Sequence, residues 1–314
     1  MNRRTCLAGF TAACVAVLVP SPAEAVLVQT VTGTDNTTAP VGLPQFNNVG
    51  RSSNTLGTAI YLGDGWVITA GHVGGGGIVL ASGTYLEQAG TGFTLLNNTP
   101  GRSTYTDLYM YRLQTSPVGL PTIRIASALP SPGLDVTMVG AGRNRGNFTQ
   151  WLVNTSTTPW AWTVTTGSTS DYQGYTTTGT RAVRWGTNQV EASNFWFQLY
   201  YSSTAFNDVK GFATVFDELP GTSEAQAVLR DSGGAVFAQN GSQWELTGVI
   251  SSVAGFSGQP SAQTTAVFGN ATFMADLSFY RPQIVAVIPE PDTSALAAAA
   301  GAALAAAARA TRRR

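Results

Sequence analysis

Between Val26 and Asn270 the apolar positions of this 314-residue chain do not recur at a helical spacing. Short runs rich in Val, Ile, Thr, Tyr, Phe and Trp alternate instead with clusters of Gly, Pro, Asn and Ser, the pattern of short β-strands joined by turns. The runs at 58–62 and 66–70 flank Gly63-Asp64-Gly65, a hairpin signal, because glycine enters positive φ at little steric cost. Further strands are predicted at 78–80, 85–88, 92–96, 108–113, 136–139, 160–165, 195–201, 235–238 and 246–251. One helix is predicted over about 271–280, stopped by Pro282, since proline lacks the N–H that an inner turn needs. The Thr-, Ser- and Gly-rich stretch 155–179 reads as long surface loops or hairpins, and Leu-Pro-Ser-Pro-Gly at 129–133 as a crossing between two lobes. Many short strands with turn signals between them predict an all-β sandwich or barrel.

The two ends break this pattern. Residues 1–25 open with Arg3 and Arg4, continue in a largely apolar run over 7–19 and close with Ala23-Glu24-Ala25, the order of a secretory signal cleaved before Val26. Residues 289–314 run Pro289-Glu290-Pro291, an Ala/Leu stretch over 295–308, then Arg309, Arg312, Arg313 and Arg314. An apolar stretch followed by positive charge keeps the basic end in the cytoplasm, although this one is short and weakly apolar for a span. That order resembles the PEP-CTERM sorting signal of Gram-negative bacteria. The resemblance implies an exosortase-type enzyme as partner, transient anchoring in the inner membrane, and release to the cell surface or the medium.

Charge and cysteine content narrow the classes. The chain carries 17 Lys+Arg and 17 Asp+Glu, and only 11% of it is charged, which excludes a disordered chain. Between Val26 and Ile288 acidic side chains outnumber basic ones by three, so no basic face for a nucleic acid is expected. Both cysteines, Cys6 and Cys14, lie in the leader, leaving an exported part without disulfide or thiol chemistry. The single histidine excludes any two-histidine metal site, and Gly74 to Gly77 lacks the lysine of a phosphate-binding loop. No cofactor is expected.

Three strings carry the candidate chemistry. Thr69-Ala70-Gly71-His72 places the only histidine just past a buried-type strand; Asp107 opens the strand Asp107-Leu108-Tyr109-Met110-Tyr111-Arg112-Leu113; Arg230-Asp231-Ser232-Gly233-Gly234 sets a serine before two turn-permitting glycines. Acyl transfer by serine needs a hydroxyl nucleophile, an imidazole to take its proton and a carboxylate to fix the imidazole tautomer. The chain supplies one of each, in the order His, Asp, Ser.

Order and flanks together resemble the chymotrypsin-like (trypsin-like) serine protease family over residues 57–280. The resemblance implies two antiparallel β-barrels with a C-terminal helix, divided at about residue 130, and a protein or peptide substrate. Ser232 would be the nucleophile, His72 the general base and Asp107 its orienting carboxylate. The N–H groups of Arg230 and Ser232 would form the oxyanion hole, although Arg230 stands where the family has glycine. Ser251 would hydrogen-bond Asp107 and start the substrate-binding strand. Gln226, six residues before the serine, would be a neutral pocket floor disfavouring Lys and Arg, and Val253 would narrow the pocket toward small or medium apolar residues.

In many relatives a freed apolar N-terminus pairs with the aspartate before the nucleophile, here Asp231. Signal cleavage exposes Val26-Leu27-Val28, without the family's Ile/Val-Val-Gly-Gly string; an internal arginine is the other candidate partner. The alternative to an enzyme is a weak or inactive surface-sorted binding or matrix protein on the same fold, the feature favouring it being Arg230.

Overall fold

The structure is a computed structural model that describes residues 26–29, 36–202, 205–261 and 264–288; the segments read as a secretory leader and a sorting tail lie outside the described residues. It is built almost wholly of antiparallel strands. After β1 (Leu27–Val28), seven strands form the first lobe: β2 (Val49–Ser52), β3 (Thr58–Gly63), β4 (Trp66–Ala70), β5 (Gly77–Leu80), β6 (Gly83–Leu86), β7 (Phe93–Leu96) and β8 (Tyr105–Arg112). Their order is β6-β5-β2-β3-β4-β8-β7. The sheet curls until its β6 edge meets β8 through a bridge between Glu87 and Leu113. Gln88 N donates to Arg112 O at 2.7 Å and Gln114 N to Leu86 O at 2.9 Å, so six of the strands close into a barrel. Closure removes the free edge that an open sheet would expose.

The second lobe is a closed barrel of β9 (Asp135–Gly140), β13 (Arg184–Tyr200), β14 (Phe206–Val215), β19 (Ala271–Asp276), β17 (Gln243–Ala254) and β16 (Ala235–Asn240). Between β9 and β13 the chain adds β10 (Arg143–Asn154), β11 (Ala161–Thr165) and β12 (Tyr172–Arg181), which form a separate four-stranded sheet with β18 (Thr265–Val267). The stretch read as loops or hairpins is therefore largely paired strand. Residues Leu27 and Val28 pair with β15 (Ala225–Gln226), on the second lobe's side.

The predicted helix is displaced. Residues 271–276 are strand β19, and helix α1 runs Leu277–Val285 with Pro282 inside it. Alternating burial on a two-sided strand resembled half a helical turn in the sequence. The decisive signal was Asp276, whose carboxylate caps the helix by accepting from Ser278 N at 2.9 Å.

One apolar core joins the two lobes. Ile60, Leu62, Ile68, Leu108 and Met110 of the first pack in the same cluster as Ala235, Phe237, Leu246, Val249 and Ala275 of the second, with Leu277, Tyr280 and Ile284 of α1. Each fully buried side chain of this size contributes on the order of 1.5–3 kcal/mol, so the lobes are held as one body. Tyr280 adds a polar tie: its hydroxyl accepts from Thr106 Oγ1 and Lys210 N and donates to Asn97 Oδ1, each at 2.9 Å. That anchors the start of β8, and with it Asp107, to the second lobe.

Candidate active site

His72 follows β4 at a tight turn in which Gly71 N donates to Asp107 O at 3.0 Å. A Cβ on Gly71 would lie 3.1 Å from Asp107 Oδ1, so a small residue lets the turn settle on the aspartate. Asp107 is fully buried on β8. Its carboxylate accepts from His72 N at 2.9 Å and lies 3.1 and 3.0 Å from His72 Nδ1. Ser251 Oγ, arriving on β17 of the other lobe, donates to the second carboxylate oxygen.

A contact absent from the sequence reading completes this shell. Tyr201, just past β13, donates through its hydroxyl to Asp107 Oδ1 at 3.3 Å and is held there by Asn207 Nδ2 at 2.9 Å. Two register shifts in the β13–β14 pairing, at 190/192 and 192/195, bend the long hairpin that brings Tyr201 here. Its alternation in sequence looks like any surface strand, so only the tertiary path reveals it.

The imidazole feels opposing effects. Burial lowers its pKa, but the hydrogen bond and the charge of Asp107 outweigh burial, and the net shift is upward from 6.5. The carboxylate thus stabilises the imidazolium that forms when His72 accepts a proton.

Ser232 lies on the tight turn between Asp231 and β16. Gly233 sits at φ +85°, and its N donates to Ile250 O at 2.7 Å. A Cβ there would come 2.0 Å from Thr58 O, which is why this turn needs glycine. Ser232 Oγ is 3.5 Å from Ser251 O; no hydrogen bond from it to His72 occurs among the described residues. His72 and Ser232 nevertheless line one cleft of about 240 Å³, together with Tyr200, Tyr201, Ala227, Arg230 and Val253. Hydrogen bonds between such groups commonly tighten only when substrate binds.

The loop before Ser232 shows where the Arg230 side chain goes. Its φ is +80°, so arginine adopts the left-handed geometry that glycine would take freely. Its side chain reaches away to Thr55 O, while Arg230 O accepts from Thr58 Oγ1 at 3.0 Å. The N–H groups of Arg230 and Ser232 find no acceptor among the described residues, and both belong to residues that line the cleft.

Asp231, fully buried behind this loop, accepts from Val228 N and Gly142 N at 2.8 Å and from Val26 N at 3.3 Å. Burial pushes its carboxyl up to about 6, against these three N–H groups and the charge of Arg181. Arg181 itself donates to the carbonyls of Ala141, Thr55 and Gly57 rather than to the carboxylate.

Toward the specificity pocket the placements divide. Val253 and Ala227 line the cleft. Gln226 is buried behind it, 1% exposed, with Nε2 3.5 Å from Asn270 Oδ1. Thr272, which the sequence reading passed over, faces Val253 in register on β19 and accepts from Ala227 N at 3.1 Å. Among the described residues no group of His, Cys, Asp and Glu could hold a metal ion.

No protein-family model matches this chain, and no curated protein matches it. Solved structures do. The Rv3671c protease of M. tuberculosis in its active form aligns at 14% identity over 80% of this chain and 84% of that one, with a TM-score of 0.46. Neuropsin, a serine protease of mouse brain, aligns at 14% identity over 79% and 96%, TM-score 0.44. Kallikrein-related peptidase 10, in complex with Zn2+, aligns at 14% over 80% and 98%, TM-score 0.46.

Proposed function

We propose that this protein is an exported serine endopeptidase of the chymotrypsin-like family. The observation that carries the reading is the buried Asp107, which receives His72 Nδ1 from one side and Ser251 Oγ from the other while Ser232 shares the cleft with the imidazole. Ser232 Oγ attacks the substrate carbonyl carbon as His72 Nε2 takes its proton; Asp107 keeps the Nδ1 proton aimed at itself and steadies the imidazolium. The carbonyl oxygen becomes an oxyanion facing the N–H groups of Arg230 and Ser232. His72 returns the proton to the leaving amine, the C–N bond breaks, and water hydrolyses the acyl-enzyme by the same steps with the roles reversed.

Val253 lines the cleft beside Ser232 and would narrow it, which favours a small or medium apolar side chain before the scissile bond. Signal cleavage before Val26 would turn the amide beside Asp231 into an ammonium, a counter-charge that sets the oxyanion loop. Export, tail sorting by an exosortase-type enzyme and transient membrane attachment complete the proposal; they rest on the two terminal segments of the sequence.

A serine-directed fluorophosphonate tests the reading. Full-length and processed protein are expected to be labelled, and Ser232→Ala and His72→Ala are not. Equal labelling of Ser232→Ala, or none of the native protein, would overturn it.

A further inference from the structure

Four arginines gather on one side of the oxyanion loop, and the peptidase reading does not use their charge. Arg181 and Arg230 both donate to Thr55 O. Arg143 stands opposite Arg181 in the β10–β12 pairing, and its N donates to Leu229 O, beside Arg230. Arg51, exposed on β2, stands opposite Thr58 in the β2–β3 pairing, and its charge lowers the pKa of Arg181, as that of Arg230 does more strongly, after burial. None of the four forms an ion pair among the described residues. The carboxylate that acts on Arg181 is that of Asp231, which is fully buried and already held by three N–H groups.

This arrangement carries two local costs. Like charges directly across a strand pair repel. A left-handed φ is disfavoured on a residue with a side chain, and Arg230 holds it at +80°, a conformation that only glycine adopts freely.

Position defines the ligand. On the peptidase reading, the acyl half of a substrate would run along Ser251 to Val253, which line the cleft together with Ala227. The Thr55–Gly57 segment, where the guanidinium groups of Arg181 and Arg230 meet, lies beside Ser232, tied to it by Thr58 N donating to Ser232 O at 2.8 Å. On the same reading, this side is left for the leaving half. We propose that the arginine cluster selects substrates with a carboxylate within the first few residues after the scissile bond.

The inference rests on the peptidase reading for the direction of the chain, but its test does not require turnover. The carboxylate has two sources, an acidic side chain or a nearby C-terminus. Binding of fluorescent octapeptides to the full-length Ser232→Ala protein is therefore measured by anisotropy, with Glu, Gln or Lys two residues past an Ala–Ser bond and an amidated terminus. A second set carries Gln there and a free terminal carboxylate. The Glu or the free-carboxylate peptide is expected to bind about fivefold or more tighter than its neutral counterpart, and the Lys peptide weaker still. The preference should shrink in high salt and in the Arg51→Gln/Arg143→Gln double variant. Equal binding of the Glu, Gln and Lys peptides with no gain from a terminal carboxylate, or a preference unaltered in the double variant, would overturn it. Failed fluorophosphonate labelling of the native protein with the carboxylate preference intact would instead strike only the peptidase reading.

Discussion

The N-terminus offers a test whose size follows from one carboxyl group. While Val26 is peptide-linked, it gives Asp231 a neutral N–H at 3.3 Å, and burial holds the carboxyl at about 6 instead of 3.8. Ionising it at pH 8 then costs the fold roughly 3 kcal/mol, at 1.36 kcal/mol per unit. Cleavage before Val26 puts an ammonium at the same point. At 3.3 Å the attraction is about 5 kcal/mol at an effective dielectric of 20, enough to reverse the sign. Cleavage also releases the φ of Val26, which is +38° in the linked chain and disfavoured for a β-branched residue.

The two forms should therefore show opposite pH dependence. In the linked form the native state binds the extra proton between pH 3.8 and about 6, so stability falls as pH rises through that window. In the cleaved form the ion pair depresses the carboxyl, and its contribution is lost as pH falls below the ordinary carboxylate range. Urea unfolding from pH 4.5 to 7.5 is the assay, on Ser232→Ala protein beginning at Val26 after removal of a cleavable fusion, against the same protein preceded by Ala23-Glu24-Ala25. At pH 7.5 the cleaved form should be more stable by about 3 kcal/mol or more. Parallel pH profiles with no stability difference would refute the reasoning.

Further outcomes follow from the same geometry. Because Asp107 raises His72, kcat/KM should rise with an acid-limb midpoint above 6.5, and Asp107→Asn should move the midpoint down and lower the plateau by orders of magnitude, as a pH–rate profile would show. Tyr201→Phe removes one donor to Asp107 and should shift that midpoint while leaving KM nearly unchanged; a change confined to KM would make Tyr201 a wall of the cleft only. Gly233→Ala should abolish labelling and lower the unfolding temperature, since its Cβ would overlap Thr58 O; full activity would show that the turn can open. Val253→Gly should extend P1 preference in a peptide library toward Phe and Tyr, and an unchanged profile would place the restriction elsewhere.

Much of this was legible in the residues themselves. Short runs of β-branched and aromatic residues punctuated by glycine-, proline- and asparagine-rich turns determined an all-β chain, because such side chains fit a pleated sheet and the turn residues end each run before a helix could form. The strings around His72, Asp107 and Ser232 pointed to the candidate reacting groups, since their flanks are local: a turn after β4, the head of β8, a glycine turn before β16. Tertiary structure alone decided what lies between distant segments. Tyr201 reaches Asp107 because bulges bend a hairpin from the other lobe, and Val26 meets Asp231 across 205 positions of sequence. The side chain that turns Arg230 from an obstacle into part of a cationic wall is likewise set by contacts with Thr55 and by a left-handed backbone. Helix α1 shows the same division: the pattern signalled a helix near the end of the core, but pairing of residues 271–276 with β14 and β17 withheld them from it, because ladder hydrogen bonds across two neighbours outweigh a local preference.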